Sequence, residues 1–287
     1  MKKLKKHLLT IIIVLVFLIG LSVLLYPTVS DYFNKRNQSR VVASYREAVE
    51  RMDPRDIEGM FAEAHEYNER LRLRPNRFEL SDEEYEEYYN LLNVGIGATG
   101  IMGALDISYL NIMLPIYHGT GEAVLQIALG HFEGTSLPVG GLGTHTVITG
   151  HRGLPSALLL TEIDRMVIGD VFMIHVLNET LTYQVDQIVI VEPGDFSELA
   201  IDPNMDYATL LTCTPYGINS HRLLVRGHRI ENEEAEVAIR RLVMLSEARQ
   251  ISTIHALAIF LVPVLAVVII VKVVLNIRKS RKRGLPK

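Results

Sequence analysis

This 287-residue chain has no tryptophan and a single cysteine, Cys213. One thiol cannot close an internal disulfide, so a cross-linked scaffold is excluded. Paired His or Cys spacings of the zinc type are missing, and no metal site is expected. The one glycine-rich stretch, Gly140-Gly141-Leu142-Gly143, lacks the lysine and the following helix of a phosphate-binding loop. Acidic residues are missing from both ends: residues 1–26 hold four Lys or Arg and residues 253–287 hold seven, with no Asp or Glu in either. Since the whole chain carries -4, the eleven terminal cations leave -15 on the segment between. Such a balance argues against a nucleic-acid partner.

Two long apolar runs are present. Leu8 to Tyr26 is 19 residues without a charge, and Ile254 to Ile277 is 24 residues interrupted chiefly by His255, Pro263 and Lys272. Each is long enough to cross about 30 Å of hydrocarbon as a helix. The first follows Lys2, Lys3, Lys5 and Lys6 and reads as an uncleaved signal anchor, with cleavage near Ser30 as the alternative. The second ends in Arg278, Lys279, Arg281, Lys282 and Arg283, a cluster that should stay cytoplasmic. The reading is therefore a membrane protein with both termini cytoplasmic and the segment between them extracellular. It divides into a basic tail and anchor (1–26), a helical region (27–94), a β-rich domain (95–230), a helical linker (231–252) and a second membrane helix with its basic tail (253–287).

Residues 31 to 92 are expected to form two helices. Ile57, Met60, Phe61, Ala64 and Leu71 recur at helical spacing. Asp53 before Pro54 reads as an N-cap and first-turn pair, and Ser81 with Glu84 as a capping box. From Gly95 short β-rich runs alternate with Gly and Pro. Strands are expected near Gly100 to Ile107, Asn111 to Tyr117, Thr144 to Thr149, Val171 to Leu177, Leu181 to Val191, Tyr207 to Cys213 and Arg222 to Arg229. Their number and spacing point to a closed barrel or sandwich. Glu122 to Leu129 and Ser156 to Met166 read as short peripheral helices, and His131 as a loop residue.

Cys213 ends the apolar strand Tyr207-Ala208-Thr209-Leu210-Leu211-Thr212 and precedes the turn Thr214-Pro215-Tyr216-Gly217. A thiol at a strand end beside a loop can be reached by a substrate; the bland alternative is a small buried hydrophobe. Thr209-Leu210-Leu211-Thr212-Cys213 resembles the Thr-Leu-x-Thr-Cys signature of the sortases, with Arg222 nine residues beyond at the family's essential arginine. His151, in Thr149-Gly150-His151-Arg152, is the third matching member. Leu114-Pro115-Ile116-Tyr117-His118-Gly119-Thr120, Gly134-Thr135-Ser136-Leu137-Pro138 and Cys213-Thr214-Pro215-Tyr216-Gly217 look like the pilin-polymerising class, class C.

The resemblance implies a mostly β fold: a closed sortase-type barrel with short peripheral helices and an N-terminal helical segment, here between two transmembrane helices. It further implies an extracytoplasmic cysteine transpeptidase that needs no cofactor. Cys213 would attack the Thr carbonyl of a Leu-Pro-x-Thr-Gly-like sorting signal, and the acyl group would pass to a lysine amine of another pilin. The chemistry suits the residue types. A thiolate is the nucleophile and a neighbouring cation favours it; an imidazole can protonate the leaving amine and later deprotonate the incoming one; a guanidinium can hold the developing oxyanion.

His118 is the rival of His151, and Arg152, Arg226 and Arg229 compete with Arg222. Alternative functions are anchoring of proteins to the cell-wall precursor and, in another class, a non-catalytic tethered adhesion or scaffold module. One departure from the pilin-polymerising class stands out. Arg72-Leu73-Arg74-Pro75-Asn76-Arg77-Phe78 lacks the Asp-Pro-aromatic tripeptide of that class's lid, and Asp53-Pro54-Arg55 lies too early. An open thiol is expected, with Phe78 as a partial substitute for the lid's anchor.

Overall fold

The computed structural model describes residues 2–94 and 100–232. The expected second membrane span and the linker before it lie outside the described residues. One helix, α1, runs from Lys2 to Glu50 straight through Pro27, so the first apolar run and the start of the expected helical region are a single rod. Its apolar part is long enough to cross a membrane.

Two more helices follow, α2 (Pro54–Arg72) and α3 (Asp82–Asn90). Both start where the capping residues predict. The Asp53 side chain accepts from the Arg55 N–H at 2.9 Å, and Ser81 and Glu84 make both bonds of the capping box. Residues 31 to 92 thus hold part of one helix and two whole ones, not two in all. The expectation failed because the end of the apolar run hid the continuity of α1.

Among the described residues eight strands form a closed barrel: β1 (Ile101–Ile107), β2 (Ile112–His118), β3 (Leu129–His131), β4 (Thr144–Thr149), β5 (Val171–Val176), β6 (Glu179–Val191), β7 (Asp206–Thr214) and β8 (His221–Ile230). Around the barrel they run β1-β2-β3-β4-β7-β8-β6-β5. Seven lie within two residues of the expected positions. β3 was not expected, and it corrects two readings. The helix after Glu122, α4, stops at Leu125, and His131 pairs with Ile148 in the sheet instead of lying in a loop. The expected helix over Ser156 to Met166 is reduced to one short turn at Ile163–Arg165. Leu159 takes a positive φ of 41°, which breaks helical winding for a γ-branched residue.

The barrel interior is apolar, with Leu105, Ile116, Leu129, Ile148, Phe172 and Leu210 essentially without solvent contact. Burying such side chains contributes about 1.5–3 kcal/mol each. A second, smaller cluster lies on the outer face of the sheet. Val147, Leu199 and Leu224 are its buried members, with Phe78, Phe132, Val189, Val191 and Leu211 packed against them.

Candidate active site

Two adjacent strands, and the chain just past the end of a third, carry the expected residues. In the antiparallel pair of β7 and β8, Cys213 stands directly opposite Arg222. Opposed residues in such a pair point to the same face, with Cβ atoms about 4.5–5.5 Å apart. Here that face is the outer one, because Leu211 and Leu224, next along it, belong to the outer cluster, whereas Leu210, Leu223 and Val225 belong to the core.

β4 runs parallel to β7 on its other side, with Thr149 opposite Leu211. Two residues on, the same register puts His151 beside Cys213. The extension is held by two hydrogen bonds: the Gly150 N–H donates to the Leu211 carbonyl at 3.2 Å, and the Thr212 hydroxyl donates to the Gly150 carbonyl at 2.7 Å. On the side away from β7, Gly150 lets the chain pass close to β3, since a Cβ there would stand 2.5 Å from Leu129 and 3.0 Å from Leu160. Cys213 on β7, Arg222 on β8 and His151, two residues past the end of β4, therefore form one row.

All three are accessible. Cys213 is a free, partly exposed thiol, and the His151 side chain is 27% exposed. His151 Nε2 lies 3.7 Å from Glu122, an ion pair only when the imidazole is protonated, and Glu122 is mostly in solvent. Such a contact contributes little. Arg222 Nη1 donates to the carbonyls of Asn219 at 3.2 Å and His221 at 3.1 Å. The remaining N–H groups of its fork can serve a substrate.

The rivals are occupied. His118 is buried with Nδ1 2.9 Å from the Gly100 carbonyl and Nε2 2.6 Å from that of Leu91, and burial lowers its pKa. Burial likewise pushes His131 and His145 down to about 4. Arg226 is paired with Asp186 at 3.0 Å and stacked on Tyr207. Arg152 is nearer to the row: its Nη1 donates to Thr214 Oγ1 at 3.3 Å, and its Nη2 binds Asp164. Among the described residues no group of three His, Cys, Asp or Glu could hold a metal ion.

An apolar cleft of about 220 Å³ adjoins Arg222. Leu211 and Leu224 form its floor, and Phe132, Val191, Phe196 and Leu199 are among its walls. Sequence reading missed it, because its walls come from two separate connections and the end of β6, whose convergence leaves no local pattern. Behind the wall lies the segment that lacks the family's lid tripeptide. Phe78 packs on Phe196 with ring centres 4.7 Å apart and on Phe132 at 5.9 Å. Arg77 stacks over Phe78 at 4.5 Å and donates to the Leu199 carbonyl at 2.5 Å. Gly134 makes room: it has φ of 78°, and a Cβ there would meet the Arg77 carbonyl at 2.3 Å.

Phe78 is thus a buttress of the cleft wall, and Cys213 keeps its partial exposure. Phe78→Ala should raise KM for a peptide substrate about fivefold, from a lost aromatic contact of about 1 kcal/mol. Alkylation of the thiol should change less than twofold. A fall in KM would instead identify Phe78 as an occupant of the groove.

Comparison with known proteins agrees with this architecture. Residues 105–230 match the family model for the sortase domain. Sortase C1 of Streptococcus agalactiae superposes with a TM-score of 0.65 at 47% identity, covering 67% of this chain and 99% of that one. Sortase C of Streptococcus pneumoniae does so with 0.60 at 48% identity, covering 67% and 97%. Sortase D of Bacillus subtilis is 25% identical over 131 residues, which is 45% of this chain and 63% of that protein. The chain belongs to the sortase family of cysteine transpeptidases and is most like its class C members.

Proposed function

We propose that the row His151, Cys213, Arg222 is the catalytic apparatus and that the chain joins pilin subunits outside the cell. The observation that carries this reading is the register: a free thiol flanked across neighbouring strands by one imidazole and one guanidinium, beside an apolar cleft. The Cys213 thiolate attacks the threonine carbonyl of a Leu-Pro-x-Thr-Gly-like signal. Arg222 faces the oxygen on which negative charge develops. As the C–N bond breaks, His151 gives a proton to the leaving amine, which departs with the tail and leaves a thioester. A lysine amine of a second pilin then attacks the thioester, His151 takes its proton, and an isopeptide bond forms with release of the Cys213 thiolate beside the protonated imidazole. No external reductant or oxidant is required.

The cleft suits the apolar Leu-Pro end of such a signal. The S. pneumoniae relative, described in terms of pilin substrate specificity, supports pilins as the protein class joined. The apolar part of α1 anchors the enzyme, and the second apolar run, Ile254 to Ile277, returns the chain to the cytoplasm, so both basic termini lie inside. Incubating the purified enzyme with candidate pilins should produce covalent ladders on a denaturing gel. Tail cleavage without ladders would point to the anchoring of single proteins instead.

A further inference from the structure

We infer that the active-site end of the barrel rests against the outer leaflet of the membrane, with the connection after His151 among the lipid headgroups. This rests on the proposal that α1 spans the membrane. The argument begins with the rod itself. Tyr26 closes the apolar run, and α1 continues without interruption to Glu50, rising about 1.5 Å per residue. One face of it is bonded to the barrel. Asp31 accepts from the Leu158 N–H at 2.9 Å, and Asn34 donates to the Ser156 carbonyl at 2.7 Å. Gln38 donates to the Ile127 carbonyl at 2.8 Å, and the Tyr45 hydroxyl accepts from the Leu177 N–H at 2.7 Å. Positions 31, 34, 38 and 45 share one helical face, so the rod cannot rotate or slide without breaking several of these bonds.

These contacts give each part of the barrel a height. Asp31 is five residues past Tyr26, so Leu158 lies about 8 Å beyond the end of the apolar run, and Leu177 about 28 Å beyond it. The headgroup layer is roughly 5–8 Å deep on each side. Leu158 is 39% exposed, and Pro155 in the same connection is exposed as well. On α1 itself Tyr26, Tyr32 and Phe33 are more than half exposed at the same level, and aromatic side chains favour that interface.

The low end is also the end that carries the row. The Leu160 N–H donates to the His151 carbonyl at 3.3 Å, so the connection tied to Asp31 folds straight back onto the proposed acid–base residue. Ile127, tied to Gln38 about 18 Å beyond the end of the apolar run, lies two residues before β3, against which Gly150 packs. The β5–β6 turn at Leu177 is at the opposite, high end. An active-site row at this end meets polypeptides still anchored in the same bilayer before it meets free ones.

The test uses the full chain in phosphatidylcholine vesicles containing a lipid with a nitroxide on its headgroup. In a Cys213→Ala background, single cysteines at Leu158→Cys, Pro155→Cys or Asn178→Cys carry one fluorophore. Labels at 155 and 158 should be quenched at least threefold more than the label at 178. A seven-residue helical insert after Val29, adding about 10 Å while preserving the face, should abolish most of that difference. Two loop positions guard against one that disturbs folding. Vesicle flotation with equal quenching at all three positions overturns the inference and leaves the anchor standing. Failure to float with the vesicles overturns both.

Discussion

Replacing Cys213 with alanine is expected to remove both cleavage and joining, by at least about 10³-fold, because no other thiol exists to carry the acyl group. The fold should survive. Cys213 is partly exposed, and substitutions at such positions usually shift stability by no more than about 0.5 kcal/mol. Cys213→Ser should retain at most a trace, since a hydroxyl is a far weaker nucleophile near neutral pH. The assay is thioester capture with a sorting-signal peptide, scored by mass, beside a thermal melt. Joining by the alanine variant would end the proposed mechanism.

His151→Ala and Arg222→Ala are each expected to lose activity by about 10² or more, each removing an interaction made mainly in the transition state. The loss should fall on kcat more than on KM. The rivals separate cleanly in the same experiment. His118→Ala leaves the carbonyls of Leu91 and Gly100 without that partner inside the protein, so it should lower the melting temperature while sparing kcat per folded molecule. Arg152→Ala loosens the Thr214 end of β7 and should cost less than Arg222→Ala. A dead His118 variant with a normal melt, beside an active His151 variant, would move the assignment.

Strands long enough to show alternation were legible along the chain, and so were the helix starts, because the side chains of Asp53, Ser81 and Glu84 encode them locally. β3 was not, since Leu129-Gly130-His131 is too short to show a period of two. Ala157-Leu158-Leu159-Leu160 suggested a helix, but its leucines point in different directions: Leu159 and Leu160 enter the core while Leu158 faces solvent above Asp31. Tertiary contact decided that segment. The three residues of the candidate site were readable as a motif because two lie at opposed positions of a hairpin and the third lies two residues past the end of the strand beside it. The cleft was not readable, as Phe132, Phe196 and Leu199 meet only after the barrel closes.

Closure of the barrel also decides how a peptide can be held. An open sheet offers a visiting chain a row of free N–H and C=O groups and can gain it as an extra strand. Among the described residues this sheet has no such edge. Even where β3 gives out and β4 runs on alone, its backbone is already engaged. The Phe132 N–H donates to the Val147 carbonyl and the Ser136 N–H to that of His145, while the Ser136 and Thr135 hydroxyls accept from the N–H groups of His145 and Val147. A substrate must therefore be recognised on the outer face of the wall, by side chains and by the ends of loops. Selectivity then resides in a few replaceable residues around the cleft, and can drift between relatives while the barrel beneath stays the same.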